Sequence, residues 1–420
     1  MSQRCTDNRT WRFLPDGTTP DAAILLRARA VRAFGDGFVS VLLPAHLKAL
    51  EFSSFQIGAI ATATLVGSAA LTLLVGFVAY RLQRRALLLR ASVLMIATGL
   101  GFALIHDFWP LLLVAFAGTL NPSAGDVSVF LPTEQALLPQ TVTDRRRTDL
   151  FARYSLVGSL AAALGALSAG LPGAVAGHTR LSLNHALDGM FFVYALLGLA
   201  ALWLYRGLSP AVEPATSGAK APLTTSKRAV YTLAGLFSLD SFAGGFVVQS
   251  LLALWLYQRF GLSVAAAGTI FFWTSLLAAF SYLVAARLGQ RVGLVNTAVF
   301  THLAANVFLV LTPFMPSLPL AIATLLLRSA LSSMDVPVRN SYVMAIVTPE
   351  ERPAAASLTA VPRSLASALG PLPAGYLLGL STFGWPLVIG GVLKGIYDLL
   401  LLAMFRAVRP PEETAGRQRE

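Results

Sequence analysis

The stretch SLAAALGALSAG, Ser159 to Gly170, recurs as SLASALGPLPAG, Ser364 to Gly375. Most positions are identical, and the offset is about half the chain. Two further pairs keep the same order. Gly37-Phe38-Val39 matches Gly245-Phe246-Val247, and Asp126-Val127 matches Asp335-Val336. One match between Ala/Leu-rich runs is weak, but three in register argue for an internal duplication. Both copies of the first stretch are apolar and lie in longer apolar runs. A helix needs roughly 20 such residues to cross about 30 Å of hydrocarbon.

On that length criterion the chain carries twelve spans, near 27–49, 55–80, 86–106, 109–133, 150–173, 187–206, 229–257, 264–287, 293–313, 318–345, 354–379 and 385–407. Leu50-Glu51, His106-Asp107, Pro313 with Pro316, and Thr382 to Trp385 mark breaks between them. Continuous runs of this length do not fit the short alternating strands of a barrel. Equivalent helices of a parallel repeat face the same way, so each half holds an even number of spans, and six plus six satisfies this. The expectation is an all-α membrane protein with two pseudo-symmetric six-helix bundles. Its divisions are an N-terminal tail 1–26, a bundle 27–206, a linker 207–228, a bundle 229–407 and a tail 408–420.

Composition excludes other classes. Of the 420 residues, 55% are hydrophobic and 12% charged, about half the charge of a soluble domain. The net charge of +12 raises the question of a nucleic-acid partner, but the basic residues lie in short loops between apolar runs. Arg4, Arg9, Arg12, Arg27 and Arg29 precede or open span 1. Arg81, Arg84 and Arg85 follow span 2, and Arg145, Arg146 and Arg147 follow span 4. Arg206, Lys220, Lys227 and Arg228 lie between spans 6 and 7. Arg287 and Arg291 follow span 8, Arg352 follows span 10, and Arg406 and Arg409 follow span 12. The opposite loops hold Lys48, Arg180 and Arg259. The basic side of a membrane protein is cytoplasmic. Both termini are therefore expected inside, in the cell (inner) membrane. Cys5 stands alone, which excludes a disulfide framework or a cysteine metal site. Residues 1–21 lack an apolar core and do not read as a cleavable signal peptide.

The loop Gly76-Phe77-Val78-Ala79-Tyr80-Arg81-Leu82-Gln83-Arg84-Arg85 resembles the G-x-L-a-D-R-x-G-R-K loop of the major facilitator superfamily, with Tyr80 in place of Asp and Gln83 in place of Gly. A fainter copy is Ala286-Arg287-Leu288-Gly289-Gln290-Arg291. The run from Phe300-Thr301-His302-Leu303 to Met334-Asp335-Val336-Pro337 and Ser341-Tyr342-Val343-Met344 resembles a bacterial branch of unassigned substrate. Drug/proton antiporters of the superfamily carry Arg where Asn121 precedes Gly125, and Gly-Pro where Gly165-Ala166 stands. Here the Gly-Pro pair is Gly370-Pro371 in span 11. These departures do not favour a drug antiporter. The resemblance implies that spans 1, 4, 7 and 10 line a central cavity, that 2, 5, 8 and 11 join the halves, and that 3, 6, 9 and 12 lie outside.

A charge at the bilayer centre costs about 2.5–3.5 kcal/mol on insertion scales. Arg328 and Asp240 fall near mid-depth of spans 10 and 7, with Asn121 at similar depth in span 4. They read either as a central polar site or as a fixed Asp240–Arg328 pair. Gln249 is a further cavity candidate. Asp36, between Gly35 and Gly37, reads as a site residue or as the i,i+4 partner of Arg32. His302 with Asn306, and Lys394 with Asp398, share faces of spans 9 and 12 and read as pairs satisfied within their own helices. Under the resemblance, Asp126–Arg363 and Asp335–Arg153 form a cytoplasmic gate between the halves. Pairing within each half, Asp126 with Arg81 and Asp335 with Arg339, is the alternative. No metal cluster, catalytic triad or phosphate loop is legible, so no cofactor or metal is expected.

The expected function is secondary active transport of a small solute by alternating access, with proton coupling and efflux as the finer expectations. The partners are a small-molecule substrate and the lipid bilayer, without nucleic acid, and the chain reads as a monomer rather than an enzyme. The rival is a non-transporting membrane sensor or integral-membrane enzyme on the same scaffold.

Overall fold

The computed structural model describes residues 14, 17–78, 83–123, 129–142, 147–210, 213, 226–292, 294–335, 347 and 351–405. Spans 1 to 3 are α1 (Pro20–Ala49), α2 (Ser54–Val78) and α3 (Arg84–Leu104). Span 4 is divided into α4 (Phe108–Ala117) and α5 (Phe130–Leu137). Span 5 is α6 (Arg147–Ser168) followed by α7 (Leu171–His178), and span 6 is α8 (Leu183–Arg206). Span 7 is divided into α9 (Lys227–Gly245) and α10 (Gln249–Phe260). Spans 8 to 10 are α11 (Val264–Val292), α12 (Leu294–Leu311) and α13 (Leu318–Ser332). Span 11 is α14 (Arg352–Leu369) with α15 (Pro371–Leu380), and span 12 is α16 (Trp385–Phe405). Eight spans are long and apolar enough, within the described residues, to cross a membrane as they stand. The other four have physical reasons to fall short. α1 carries Asp21, Arg27, Arg29, Arg32 and Asp36, and spans 4, 10 and 11 are divided, or described over short lengths.

The duplication reappears as packing. A Cβ on Gly37 would lie 2.1 Å from the Ala162 carbonyl oxygen, and a Cβ on Gly245 would lie 2.4 Å from that of Ser367. A Cβ on Gly165 would meet the Phe34 oxygen at 2.0 Å, and one on Gly370 the Phe242 oxygen at 2.7 Å. These are the same positions of the two sequence copies. Each bundle therefore joins its first and fifth spans through two reciprocal glycine contacts, where only a missing side chain lets the backbones approach.

Between the bundles, contacts gather toward the end opposite the termini. Tyr257 Oη donates to the Val41 carbonyl at 2.8 Å, and Gln258 Nε2 to Ser54 Oγ at 2.8 Å. A Cβ on Gly58 would lie 2.7 Å from the Pro371 oxygen, and one on Gly268 would lie 2.4 Å from the Ala166 oxygen. Ser54 opens α2, Gln258 nearly closes α10, and Gly268 lies in the second turn of α11. All three are at the far end of the bundle from the termini.

The glycine contacts give a direct test. Gly37→Ala and Gly245→Ala are each expected to lower the detergent melting temperature by several degrees, because forcing atoms into packed backbone costs about 1–3 kcal/mol. Gly177→Ala, with nothing within 4 Å of its Cβ position, is the control. Equal melting of all three variants would contradict the packing.

Candidate functional site

Span 4 leaves helical form after Ala117, within a stretch that contains Pro122. Proline withholds an amide donor and disfavours helix at the residue before it, here Asn121. The turn is held by Asn121, whose Oδ1 accepts from Ser123 N at 3.0 Å and Ser123 Oγ at 2.9 Å. Span 7 breaks over Phe246, Val247 and Val248, which contain no proline. There α9 ends on Gly244-Gly245, a pair that weakens helix, and a tertiary contact supports the break. The amide of Ser250, in the first turn of α10, donates to the Pro122 carbonyl at 3.0 Å. The two divided helices thus satisfy one another's backbone across the two halves, as a backbone buried in membrane requires.

Buried polar side chains lie at this junction and elsewhere in the two bundles. Asn121 is buried, and Gln249 Nε2 and Ser250 Oγ are buried without hydrogen-bond partners among the described residues. Arg328 Nε, on α13, is in the same condition. Uncompensated buried polar atoms cost free energy, which a ligand that pairs with them returns. Asp36 is partly buried on α1 between two glycines that face α6 and α8.

The charges at depth form two networks, one in each bundle. In the first, Arg32 donates from Nη2 to Glu134 Oε2 and from Nε to Tyr205 Oη at 3.0 Å. Tyr205 donates to Glu134 Oε1 at 2.6 Å, Tyr154 donates to Glu134 Oε2, and Arg32 stacks on the Phe130 ring. Glu134 is fully buried. The ion-pair partner of Arg32 is therefore Glu134 rather than Asp36. Glu134 and the two tyrosines escaped the sequence reading because span 4 was expected to end at Thr133. The available signal was one acidic residue directly after an apolar run.

In the second network, Lys394 Nζ donates to Asp240 Oδ1 at 2.6 Å. His302 Nδ1 lies 2.8 Å from Asp398 Oδ1, and its Nε2 lies 3.8 Å from Asp240 Oδ1. Asn306 Nδ2 donates to Asp398 Oδ2 at 2.9 Å. The expected pairs within spans 9 and 12 are instead one cluster joining α9, α12 and α16. The partner of Asp240 is Lys394, not Arg328. The reading missed this because the resemblance places spans 9 and 12 on the outside.

The gate residues divide. Arg81, Asp126 and Arg339 lie outside the described residues. Arg363 Nε donates to Ser241 Oγ at 3.2 Å, within its own half. Asp335 is buried beyond α13 and acts electrostatically on His302, again within one half. Arg153 lies partly buried in the first turns of α6.

Two bundles of six spans, joined at divided helices with polar groups at the junction, define a membrane transporter by fold. A family model, Major Facilitator Superfamily, matches residues 25–239 and again 234–420. The chain belongs to that superfamily. It is 25% identical over 423 residues to the uncharacterized membrane protein YJR124C of Saccharomyces cerevisiae, covering 92% of this chain and 94% of that one. Among solved structures it is similar to the nucleoside transporter NupG, with a TM-score of 0.71 at 14% identity over 92% of this chain and 100% of that one. It is also similar to a bacterial homolog of the human lysosomal transporter Spinster in an inward-facing and occupied conformation. That TM-score is 0.72 at 16% identity, over 92% of this chain and 95% of that one. The human organic anion transporter MFSD10 gives 0.65 at 18% identity, over 91% and 100%. At these identities the likeness to structures is one of fold.

The Asp240–Lys394 pair yields a stability prediction. Removing one partner of a buried pair costs about 3–5 kcal/mol, whereas replacing both with neutral groups costs far less. Asp240→Asn and Lys394→Met are each expected to lower folded yield in membranes. The double variant is expected to recover most of it, as read by size-exclusion fluorescence. Losses that simply add would show that the pair contributes no coupling.

Proposed function

We propose that the protein is a proton-coupled secondary transporter that moves a small polar or anionic solute through the junction of spans 4 and 7 by alternating access. The observation that carries this is the set of orphaned buried polar atoms on Gln249, Ser250 and Arg328, which lie on or beside divided helices where carriers bind solute. Arg328 supplies the fixed positive charge for an anionic group, Gln249 and Asn121 supply amide contacts, and Asp36 lines the approach. The bundles 27–206 and 229–407 rock about this junction, joined by the linker 207–228. The test is uptake by purified protein in liposomes with an inward or outward pH gradient. Nucleosides and organic anions head the solute panel, because the similar structures carry those names. Arg328→Gln is expected to reduce uptake of an anionic solute at least tenfold while leaving folded yield unchanged. Unaltered uptake removes Arg328 from the site. The expectation of efflux is decided by which gradient drives accumulation.

The basic loops support cytoplasmic termini and an inner-membrane location, and the contacts opposite the termini then correspond to a closed outer face. The pairs Asp126–Arg363 and Asp335–Arg153 close the inner mouth when the outer face opens. One labelling experiment reads both statements, using a chain with Cys5 replaced by Ser. A cysteine at Gly218 is expected to resist a membrane-impermeant thiol reagent in intact cells and to react after lysis. In inside-out vesicles, labelling of a cysteine at Ser123 is expected to rise in Asp126→Asn and in Arg363→Gln, and the double variant to exceed neither. Additive rises would exclude the pair.

A further inference from the structure

The network of the N-terminal bundle is balanced, with Arg32 and Arg29 against Glu134 and Asp36 and two phenols among them. The network of the C-terminal bundle is not. Asp240 and Asp398 carry two negative charges and Lys394 one positive, so with a neutral imidazole the four side chains hold a net negative charge in a buried site. One additional proton makes these four neutral, and buried Asp335, which also acts on His302, adds to the negative side. Burying an uncompensated charge is costly, and a site of this kind adjusts by binding a proton.

The geometry says where that proton goes. Both ring nitrogens of His302 face carboxylate oxygens, Asp398 at 2.8 Å and Asp240 at 3.8 Å. An imidazolium offers an N–H to each; a neutral ring turns a lone pair toward one of the anions. The neutral ring has another partner, because Asn306 Nδ2 lies 3.2 Å from Nδ1 and can donate to it. The site therefore has two satisfied states. In the protonated one, His302 joins α12 to α16 through Asp398. In the deprotonated one a single N–H remains: on Nδ1 it keeps the Asp398 bond and turns the Nε2 lone pair toward Asp240, and on Nε2 it leaves Nδ1 to accept from Asn306. The remaining groups near the ring complete the account. Asp335 acts on His302 from beyond α13, Arg363 of α14 is bonded to Ser241 next to Asp240, and Tyr397 of α16 meets the imidazole edge to face. α11, also packed on α12, has no acidic residue in its sequence.

The cluster also lies close to the moving parts. Asp240 is five residues before the end of α9, and Lys394 Nζ lies 3.6 Å from the Cβ position of Gly244. Immediately beyond is the break of span 7, and then the Ser250–Pro122 bond to the other bundle. A change in how α9 is held to α16 is delivered directly to that junction.

We propose that Asp240, His302, Lys394 and Asp398 form a proton-binding site inside the C-terminal bundle, separate from the solute junction, with His302 carrying the exchangeable proton. This rests on reading the chain as a proton-coupled transporter, and the test separates the two. Full-length protein labelled with ¹⁵N-histidine is placed in lipid nanodiscs and titrated from about pH 4.5 to 9, the window a perturbed imidazole covers. The resonance lost in His302→Gln is expected to pass from imidazolium to neutral imidazole. Asp398→Asn is expected to weaken proton binding about tenfold, the size of effect that loss of an adjacent anion produces. A His302 resonance that does not titrate, or one indifferent to Asp398→Asn, overturns the site. Should His302→Gln not fold, the shift caused by Asp398→Asn identifies the resonance. A spin-label distance between Ser238 and Phe34 positions, one in each bundle, is followed over the same range. A distance step at the His302 midpoint, absent in His302→Gln, supports coupling. Titration of His302 with no distance step keeps the proton site and overturns the proton-coupled reading.

Discussion

An ionised side chain in hydrocarbon has to find its counter-charge inside the protein, and in this chain the counter-charges lie on other helices. Arg32 of α1 is answered by Glu134 of α5, and Asp240 of α9 by Lys394 of α16. Each pair joins spans far apart in sequence, so each ties down the arrangement of its bundle as well as neutralising charge. Buried pairs of this kind add little net stability over an apolar core of equal volume, yet breaking them is expensive. They specify which helices adjoin, and the apolar packing around them supplies the bulk of the cohesion.

The same logic applies to the backbone. Glycines let α1 meet α6, and α9 meet α14, at main-chain distance, which makes each bundle a tight unit. Between the units, spans 4 and 7 abandon helical form and pair their freed backbone groups across the junction. Rigid contacts within bundles and a few polar contacts between them are what rocking about a central site requires. The packing that holds Gly58 on Pro371, and Gly268 on Ala166, closes one end of the molecule. Small residues at these positions let the backbones of the two halves approach closely.

Much of this was legible in sequence. The apolar runs located most spans, because hydrophobic length is fixed by the membrane, although α1 begins at Pro20 rather than 27, span 4 is divided, and the expected end of span 10 lies outside the described residues. The alignment of Gly37 with Gly245, and of Gly165 with Gly370, picked out the positions that carry equivalent close contacts. Pro122 marked the break of span 4 and was passed over because the surrounding run is apolar. The break of span 7 follows Gly244-Gly245, a pair passed over for the same reason, and the contact with span 4 supports it. The second charge network was hidden differently. Lys394 with Asp398, and His302 with Asn306, each look self-sufficient at i,i+4 spacing. The third dimension adds Asp240 to both.

The duplication gives that network a history in physical terms. Offsetting the halves by the Gly37–Gly245 match sets Arg32 of the first bundle against Asp240 of the second. Equivalent positions, at equivalent depth in the first span of each bundle, carry opposite charges. The first faces the Glu134 carboxylate and the phenols of Tyr154 and Tyr205. The second stands among a lysine, a histidine and another aspartate, groups whose number of protons is not fixed by charge balance until one more is added. The two copies of this position thus differ in their surroundings: a carboxylate and two phenols face Arg32, whereas a lysine, a histidine and a second aspartate gather about Asp240, and the proposed proton site rests on that difference.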